Sequence, residues 1–419
     1  MEWDTSTLVG PDGEDWRVPV SELEDRQERL SIALAEEGIE SAYIEDPVEL
    51  YWLTGGRQNS AFLIGAKGNG IQSRHLVRRS IARASFEGGA DDCPHLTEKH
   101  PRMGELSGML AKFGCVQKPA MTGAKVPQSR WSFISGKMEG LEGSPRDCTN
   151  TLYKMREVKS EWELSMIRES GEINHAMFES IRDSGGTGKT ELEMAGVAED
   201  VSRSSGFGGS IRMRKWPMDC DRVVIAAGRS GRVPSFFDSA VGGVGGSPIS
   251  PLGAGFSKVK EGEPVLIDIV HVHRGYVSDC TRMFHSGHLG EEWKDRLDDM
   301  IEIGAIVRRS LAGGEACSSA WIAGREAAEE MGHGDNLMGV SPEQASFLGH
   351  SVGLELDETP VVAEGFNRPL ELGGTMAIEP KVIHEKGAIG IEDTWSRTAE
   401  GMECLTSGDR LPSLIQWYT

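Results

Sequence analysis

The sequence predicts a two-domain chain of mixed α/β (α+β) class. Three observations carry this reading. At 419 residues the chain exceeds what one hydrophobic core usually supports. Its first part alternates helical and strand patterns. Its later part contains two hairpin-like segments that each bring a pair of acids together.

In the first part, Ser21 and Glu24 read as a capping box opening a helix that turns Leu23, Leu30 and Leu34 inward and stops near Gly38. SAYIED then reads as a strand, VELYWLTG as a short helix and NSAFLIG as another strand. A linker helix begins near residue 158, capped by Ser160 with Glu163, and carries Trp162, Met166, Ile173, Met177 and Ile181 as a packing stripe. SGGTGKTELEM imitates a phosphate-binding loop, but Asp183 stands where the first glycine should be and a helix precedes it, so Thr190 with Glu193 reads as a helix cap. The glycine-rich residues 241–256 hold Pro248 and Pro251, which rule out a helix; they are expected to form a loop beside the active site.

The chemistry lies in the hairpins. In VLIDIVHVHRGYVSDCTRMF a tight turn at His273-Arg274 makes Asp268 and Asp279 direct cross-strand neighbours, and in AIEPKVIHEKGAIGIEDTW a turn at Glu385-Lys386 does the same for Glu379 and Glu392. Opposed side chains have Cβ atoms about 4.5 to 5.5 Å apart. Two like charges near 4 Å repel by roughly 4 kcal/mol at an effective dielectric of about 20, so a cation is expected between them. His350, in FLGHSVGLELDETP, supplies a neutral fifth member. Four carboxylates and one imidazole would be neutralised by two divalent ions, and hard oxygen donors suit manganese or ferrous iron better than a thiolate-loving metal. His271 and His273 alternate away from the face of Asp268 and read as structural, while His333 and His384 read as surface histidines; Cys280 likewise faces away from Asp279.

The motifs LIDIV, YVSDCTR, GHSVGLELDE, AIEP and GIEDTW resemble those of the pita-bread metallopeptidases and their cousins: methionine aminopeptidase, prolidase, aminopeptidase P and creatinase. The resemblance spans most of residues 155–405. It implies a creatinase-like N-terminal α/β domain over residues 1–154 and a pita-bread domain with a curved, mainly antiparallel sheet over residues 155–419. It further implies that Asp268, Asp279, His350, Glu379 and Glu392 hold two divalent ions (manganese favoured, with iron, cobalt or zinc as alternatives), Asp279 and Glu392 bridging. Glu379 and His350 are then the catalytic residues, Glu379 as proton shuttle for attack of metal-activated water on a peptide or amide carbonyl. A homodimer is expected because relatives often form one.

The chain departs from this family in its outer histidines. Ser235 follows Pro234 where a histidine is usual, Asp357 takes the place of a second, and Ser346 that of a third. A substrate outside the ordinary proline peptides therefore stands as the alternative, as a creatinase-like hydrolase or lyase acting on a small non-peptide molecule, an anionic one being a candidate; a catalytically silent binding module is the third reading. Arg212, Arg214, Arg229 and Arg232 are candidate carboxylate clamps, with ordinary surface arginines as the plainer reading. Substrate contacts are thus expected from Arg229, Arg232, Ser235 and Asp357, with Trp216, Phe236 and Phe237 as a candidate apolar wall.

A formal net charge of −21 argues against nucleic acid as a partner, leaving a small peptide or small molecule. The opening MEWDTSTLVGPDGEDW has no signal-peptide pattern and no apolar run approaches the roughly 20 residues that span a bilayer. Seven scattered cysteines without a CxxC pair read as reduced thiols. A cytoplasmic protein, free of membrane, is the expectation.

Overall fold

A computed structural model describes residues 9–89, 92–215 and 218–417. Residues 1–8 of the opening segment and Trp216 lie outside the described residues. The chain divides into two compact units, Met1–Arg156 and Glu157–Thr419.

The first unit contains α1 (Val20–Glu36), β1 (Ser41–Ile44), α2 (Pro47–Thr54), β2 (Ser60–Gly65), β3 (Arg74–Val77), α3 (Ile81–Gly88), β4 (Leu96–Lys99), α4 (Leu106–Lys112), α5 (Gln128–Lys137) and α6 (Thr149–Glu157). Its sheet has the order β1-β2-β3-β4, antiparallel except for the parallel last pair. Leu23, Leu30 and Leu34 are buried on α1 as their spacing requires. The cap is different from the one expected. Pro19 occupies the N-cap with no side-chain hydrogen bond, so the helix starts at Val20 and Ser21 lies inside it. In α2 the aspartate before Pro47 does cap: the Asp46 carboxylate accepts from the backbone N–H of Val48 and Glu49.

The second unit contains α7 (Glu161–Ser184), α8 (Glu191–Ser204), β5 (Val223–Ala227), β6 (Val265–His273), β7 (Tyr276–Ser286), α9 (Glu291–Ala312), α10 (Cys317–Glu330), β8 (Phe347–Ser351), β9 (Glu358–Ala363), β10 (Thr375–Ile378), β11 (Lys381–His384), β12 (Gly387–Gly390), β13 (Asp393–Thr398), β14 (Gly401–Cys404) and β15 (Leu414–Trp417). Both capping boxes expected here form, Ser160 with Glu163 on α7 and Thr190 with Glu193 on α8. One sheet has the order β15-β7-β6-β5, a second β14-β13-β10-β8-β9, and β11 with β12 makes a separate ribbon. Alternation along β6 decides what faces what. Val265, Ile267 and Ile269 join Met177, Phe178 and Ile181 of α7 and Met194 and Ala198 of α8 in one core. Val270 and Val272, on the opposite face with Asp268, join Val277 of β7, Val352 just after β8 and Ala377 of β10 in the other sheet. The acids thus project between the two sheets, while α9 and α10 cover the second sheet with a core built on Met300, Ile303, Val307 and Ala328.

The first hairpin differs from the expected one by two residues in register. The turn is at Arg274-Gly275, both with positive φ (48° and 95°), and His273 pairs with Tyr276. Asp268 therefore lies opposite Thr281, and Asp279 opposite Val270. The two aspartates are diagonal neighbours on one face, not direct partners. The reason is Gly275: a two-residue hairpin loop with both residues left-handed favours glycine second, which His273-Arg274 lacks. The second hairpin keeps its expected register, since Ile378 pairs with Asp393 and Lys381 with Gly390 on the two sides of Glu379 and Glu392.

His271 is fully buried with Nδ1 3.1 Å from Ser202 Oγ, and His273 pairs with Glu169 at 2.9 Å, both away from the acids. His333 is a buried partner of Asp299 at 2.7 Å, so it is structural but not a surface residue. All seven cysteines are free thiols. Among the described residues no helix is long and apolar enough to cross a membrane.

Candidate metal centre

Five side chains from three regions of the second unit converge. Asp268 comes from β6 and Asp279 from β7. His350 lies on β8, where it pairs with Ala377 of β10. Glu379 follows β10 and its N–H donates to the Leu348 carbonyl, while Glu392 precedes β13 and exchanges backbone hydrogen bonds with Thr281. Thr281 also donates its hydroxyl to Glu392 Oε2 at 2.9 Å. His350 Nε2 lies 3.3 Å from Glu379 Oε1 and 3.8 Å from Asp279 Oδ2. One donor atom each from Asp279, His350 and Glu392 all lie within 4.8 Å of one another.

Behind this group stands a residue that the sequence reasoning missed. Lys381 Nζ donates to Glu379 Oε2 at 2.6 Å, Glu392 Oε2 at 2.7 Å and Asp268 Oδ2 at 3.2 Å. The signal was available: Lys381 lies two residues beyond Glu379 on an extended segment, the spacing that puts side chains on one face.

The charges respond to this crowding. Burial opposes ionisation of Glu379, but Lys381 and His350 outweigh it and hold its carboxyl at about 2. Burial together with the neighbouring acids pushes Asp279 well above the usual carboxylate range and Glu392 up to about 8, against the pull of Lys381. His350 is raised to about 9 because its bond to Glu379 overcomes its own burial. The protein's own two cations thus satisfy only part of the four-carboxylate cluster. Asp268 Oδ1, Asp279 Oδ1 and Glu392 Oε1 are buried without a hydrogen-bond partner. Unpartnered buried carboxylate oxygens are costly, and hard oxygens beside one imidazole are the donor set of a divalent metal. The residues present fit such an ion.

Asp268, Asp279, His350 and Glu379 form part of the wall of a cavity of about 290 Å³, whereas Glu392 and Lys381 are not among its lining residues. Phe237, Val241, Leu252, Phe347 and Leu356 give it an apolar side, and Arg214, Lys215, Asp238 and Asp357 a polar one. The glycine-rich segment borders it through Val241 and Leu252, as expected of that loop. Phe237 faces the cavity, while Phe236 is 52% exposed.

The expected substrate contacts distribute differently. Arg229 and Arg232 sit on a short 3-10 helix and line another depression with Val340, Ser341 and Glu385. Ser235 is not among the cavity-lining residues; its Oγ accepts from the Phe237 N–H. Asp357 does line the cavity, yet its carboxylate accepts from the backbone N–H of Arg214 and Lys215, which pins that loop. Arg214 is the arginine that reaches the cavity, its Nε donating to Glu355 at 3.2 Å. Ser346 is bound to Asp238 through both its N–H and its hydroxyl.

With this geometry in place, the comparison with known sequences is decisive at the family level: residues 165–399 match the model of metallopeptidase family M24. The chain belongs to metallopeptidase family M24. The Xaa-Pro dipeptidase of Pyrococcus furiosus is 26% identical over 257 residues, which cover 61% of this chain and 65% of that protein, just under two thirds of its length. An uncharacterised peptidase of Staphylococcus haemolyticus is 24% identical over 393 residues, 91% of this chain and 99% of its own. Among solved structures, an Xaa-Pro dipeptidase from Bacillus anthracis superposes with a TM-score of 0.76 at 22% identity, covering 94% of this chain and 99% of that one. The prolidase from Pyrococcus horikoshii OT3 gives 0.72 at 20% identity, covering 91% and 98%. These likenesses show the fold, the pita-bread architecture of the M24 family.

Proposed function

We propose that this chain is a metal-dependent exopeptidase of Xaa-Pro dipeptidase or aminopeptidase type, with Asp268, Asp279, His350, Glu379 and Glu392 as its metal-binding residues. The observation that carries the proposal is the set of unpartnered, buried carboxylate oxygens gathered beside His350 at the wall of a cavity of about 290 Å³. Divalent ions bound there would act as Lewis acids and lower the pKa of a coordinated water towards neutrality. Glu379, which lines the cavity and is bonded to Lys381 through Oε2, would serve as the proton shuttle. The cavity volume lies near the lower end of small-molecule sites, roughly 300 to 1,000 Å³, which suits a short peptide. Lys215 is the exposed cation in its wall that suits a substrate carboxylate, in place of Arg229 and Arg232, since the Arg214 guanidinium is bonded to Glu355 and Thr359. Manganese as the resident metal, a homodimer, a cytoplasmic location and a creatinase-like role for residues 1–154 belong to the same proposal, on the resemblance and composition alone.

The second reading, a creatinase-like hydrolase or lyase of a small non-peptide substrate, is favoured by Asp357 and Ser346. Both occupy positions of outer histidines in relatives, and both are committed to holding loops. Side chains tied to backbone are not offered to an oxyanion, whose stabilisation is usually worth a few kcal/mol of barrier. Assays of Xaa-Pro dipeptides against longer Xaa-Pro peptides, with manganese, iron, cobalt and zinc in turn, separate the two. Cleavage of either peptide class supports the exopeptidase; absence of turnover with every metal selects the second reading.

A further inference from the structure

We infer that Lys381 occupies one of the cation positions of the acid cluster, so that the chain holds a single divalent ion tightly, at Asp279, His350 and Glu392, and admits a second only when Lys381 is displaced. The inference rests on the metal-centre reading above and narrows it, since four carboxylates alone would call for two ions.

Three observations support it. Lys381 Nζ contacts carboxylate oxygens of Asp268, Glu379 and Glu392, at 2.6 to 3.2 Å, reaching three separate segments of chain as a coordinating ion would. Its side chain is 2% exposed, and its stem lies against Gly390, where an added Cβ would meet Lys381 Cγ at 2.5 Å. The glycine opposite is therefore the partner that lets this long side chain lie inside the ribbon, and the ammonium is built in. Finally, the donor atoms left facing one another are those of Asp279, His350 and Glu392, with Asp279 Oδ1 and Glu392 Oε1 unpartnered. A second ion drawing on Asp268 and Glu379 would have to sit beside an ammonium already bonded to Asp268 Oδ2 and Glu379 Oε2, and the like charges would repel at close range.

Metal content decides the matter without any assay of activity. The full-length chain would be stripped with a chelator, titrated with manganese by calorimetry, and analysed for bound metal after dialysis; coupled manganese pairs would be sought by electron paramagnetic resonance. The wild-type chain and Lys381→Arg are expected to retain one ion per chain with an uncoupled signal. Lys381→Met, which keeps the stem and removes the charge, is expected to retain two with a coupled signal. Two tightly held ions in the wild-type chain would overturn the inference while leaving the metal centre standing, and this result needs no variant to fold. One ion in a folded Lys381→Met, judged by circular dichroism, would overturn it equally. No bound metal in any of the three proteins would instead remove the metal-centre reading, and the inference with it.

Discussion

Arg282 and Asp393 form a two-pronged ion pair beneath the acid cluster, Arg282 Nη2 lying 3.0 Å from both carboxylate oxygens of Asp393. Arg282 Nη1 also donates to the carbonyls of Thr281 and Glu392, so one guanidinium joins the strand of Asp279 to the segment of Glu392. Both side chains are buried. Removing one partner of such a pair leaves an uncompensated charge and typically costs about 3 to 5 kcal/mol. Arg282→Ala is expected to lose stability on that scale in urea unfolding. A change below about 1 kcal/mol, the level of surface pairs, would show that the pair does not join these strands energetically.

Asp279→Ala removes a proposed ligand with a buried, unpartnered oxygen. The expected outcome is loss of both tightly bound metal and peptidase activity in a protein that still folds. A variant with wild-type metal content, measured by elemental analysis, would show that Asp279 is not a ligand.

Chelation should destabilise the native chain, because an ion that binds only the folded state adds about 2.7 kcal/mol at a free concentration 100 times its Kd. For a unit of this size that corresponds to roughly 5 to 10 °C in Tm. Scanning calorimetry before and after adding manganese to the stripped protein checks this, and an unchanged Tm would contradict it.

His271 sets an acid limit unrelated to metal. Burial, with Arg222 and His273 nearby, lowers it to about 3 in the folded chain, against an ordinary value of 6.5. Between these values the unfolded chain binds the extra proton, so stability is complete above about pH 6.5 and falls as pH drops towards 3, by up to about 1.4 kcal/mol per pH unit. His75, His95 and His384 are lowered by burial too and act in the same direction. His271→Gln is therefore expected to flatten the decline of the urea midpoint between pH 6 and pH 4 without abolishing it. An identical slope in the variant would mean that His271 is protonated in the folded chain.

The acid pattern of the site was legible because each proposed ligand sits on or beside a regular strand, where parity alone fixes the face. Parity survived even the misplaced first turn: a shift of two residues leaves Asp268 and Asp279 on the same side. What parity could not supply was distance across the chain. Arg229, Arg232 and Ser235 sit on a short 3-10 helix and in irregular backbone, whose direction no periodicity fixes. Lys381 was passed over because a lysine reads as a solvent residue until a neighbour such as Gly390 shows where its stem can lie. The α1 cap failed because Pro19, with its φ of −56°, starts the helix without any side-chain acceptor.

Gly275 is the residue that corrects the first turn, and it carries a prediction of its own. With a φ of 95° it occupies a conformation that a side chain disfavours by roughly 1 to 2 kcal/mol. Gly275→Val is expected to lower stability by at least about 1 kcal/mol. If equilibrium unfolding finds the variant as stable as the parent, the turn does not depend on left-handed backbone.

The long hairpin from Thr375 to Thr398 keeps a single pairing scheme although its outer part belongs to one sheet and its tip forms a separate ribbon. Its two arms work as a ruler graduated in pleats. Length added at the tip, Glu385 and Lys386, leaves the graduation intact, but one residue inserted within Gly387–Gly390 moves Glu392 by about 3.3 Å and turns it to the opposite face. Evolution can therefore decorate the tip of this hairpin freely, while the distance between the two glutamates is fixed by counting.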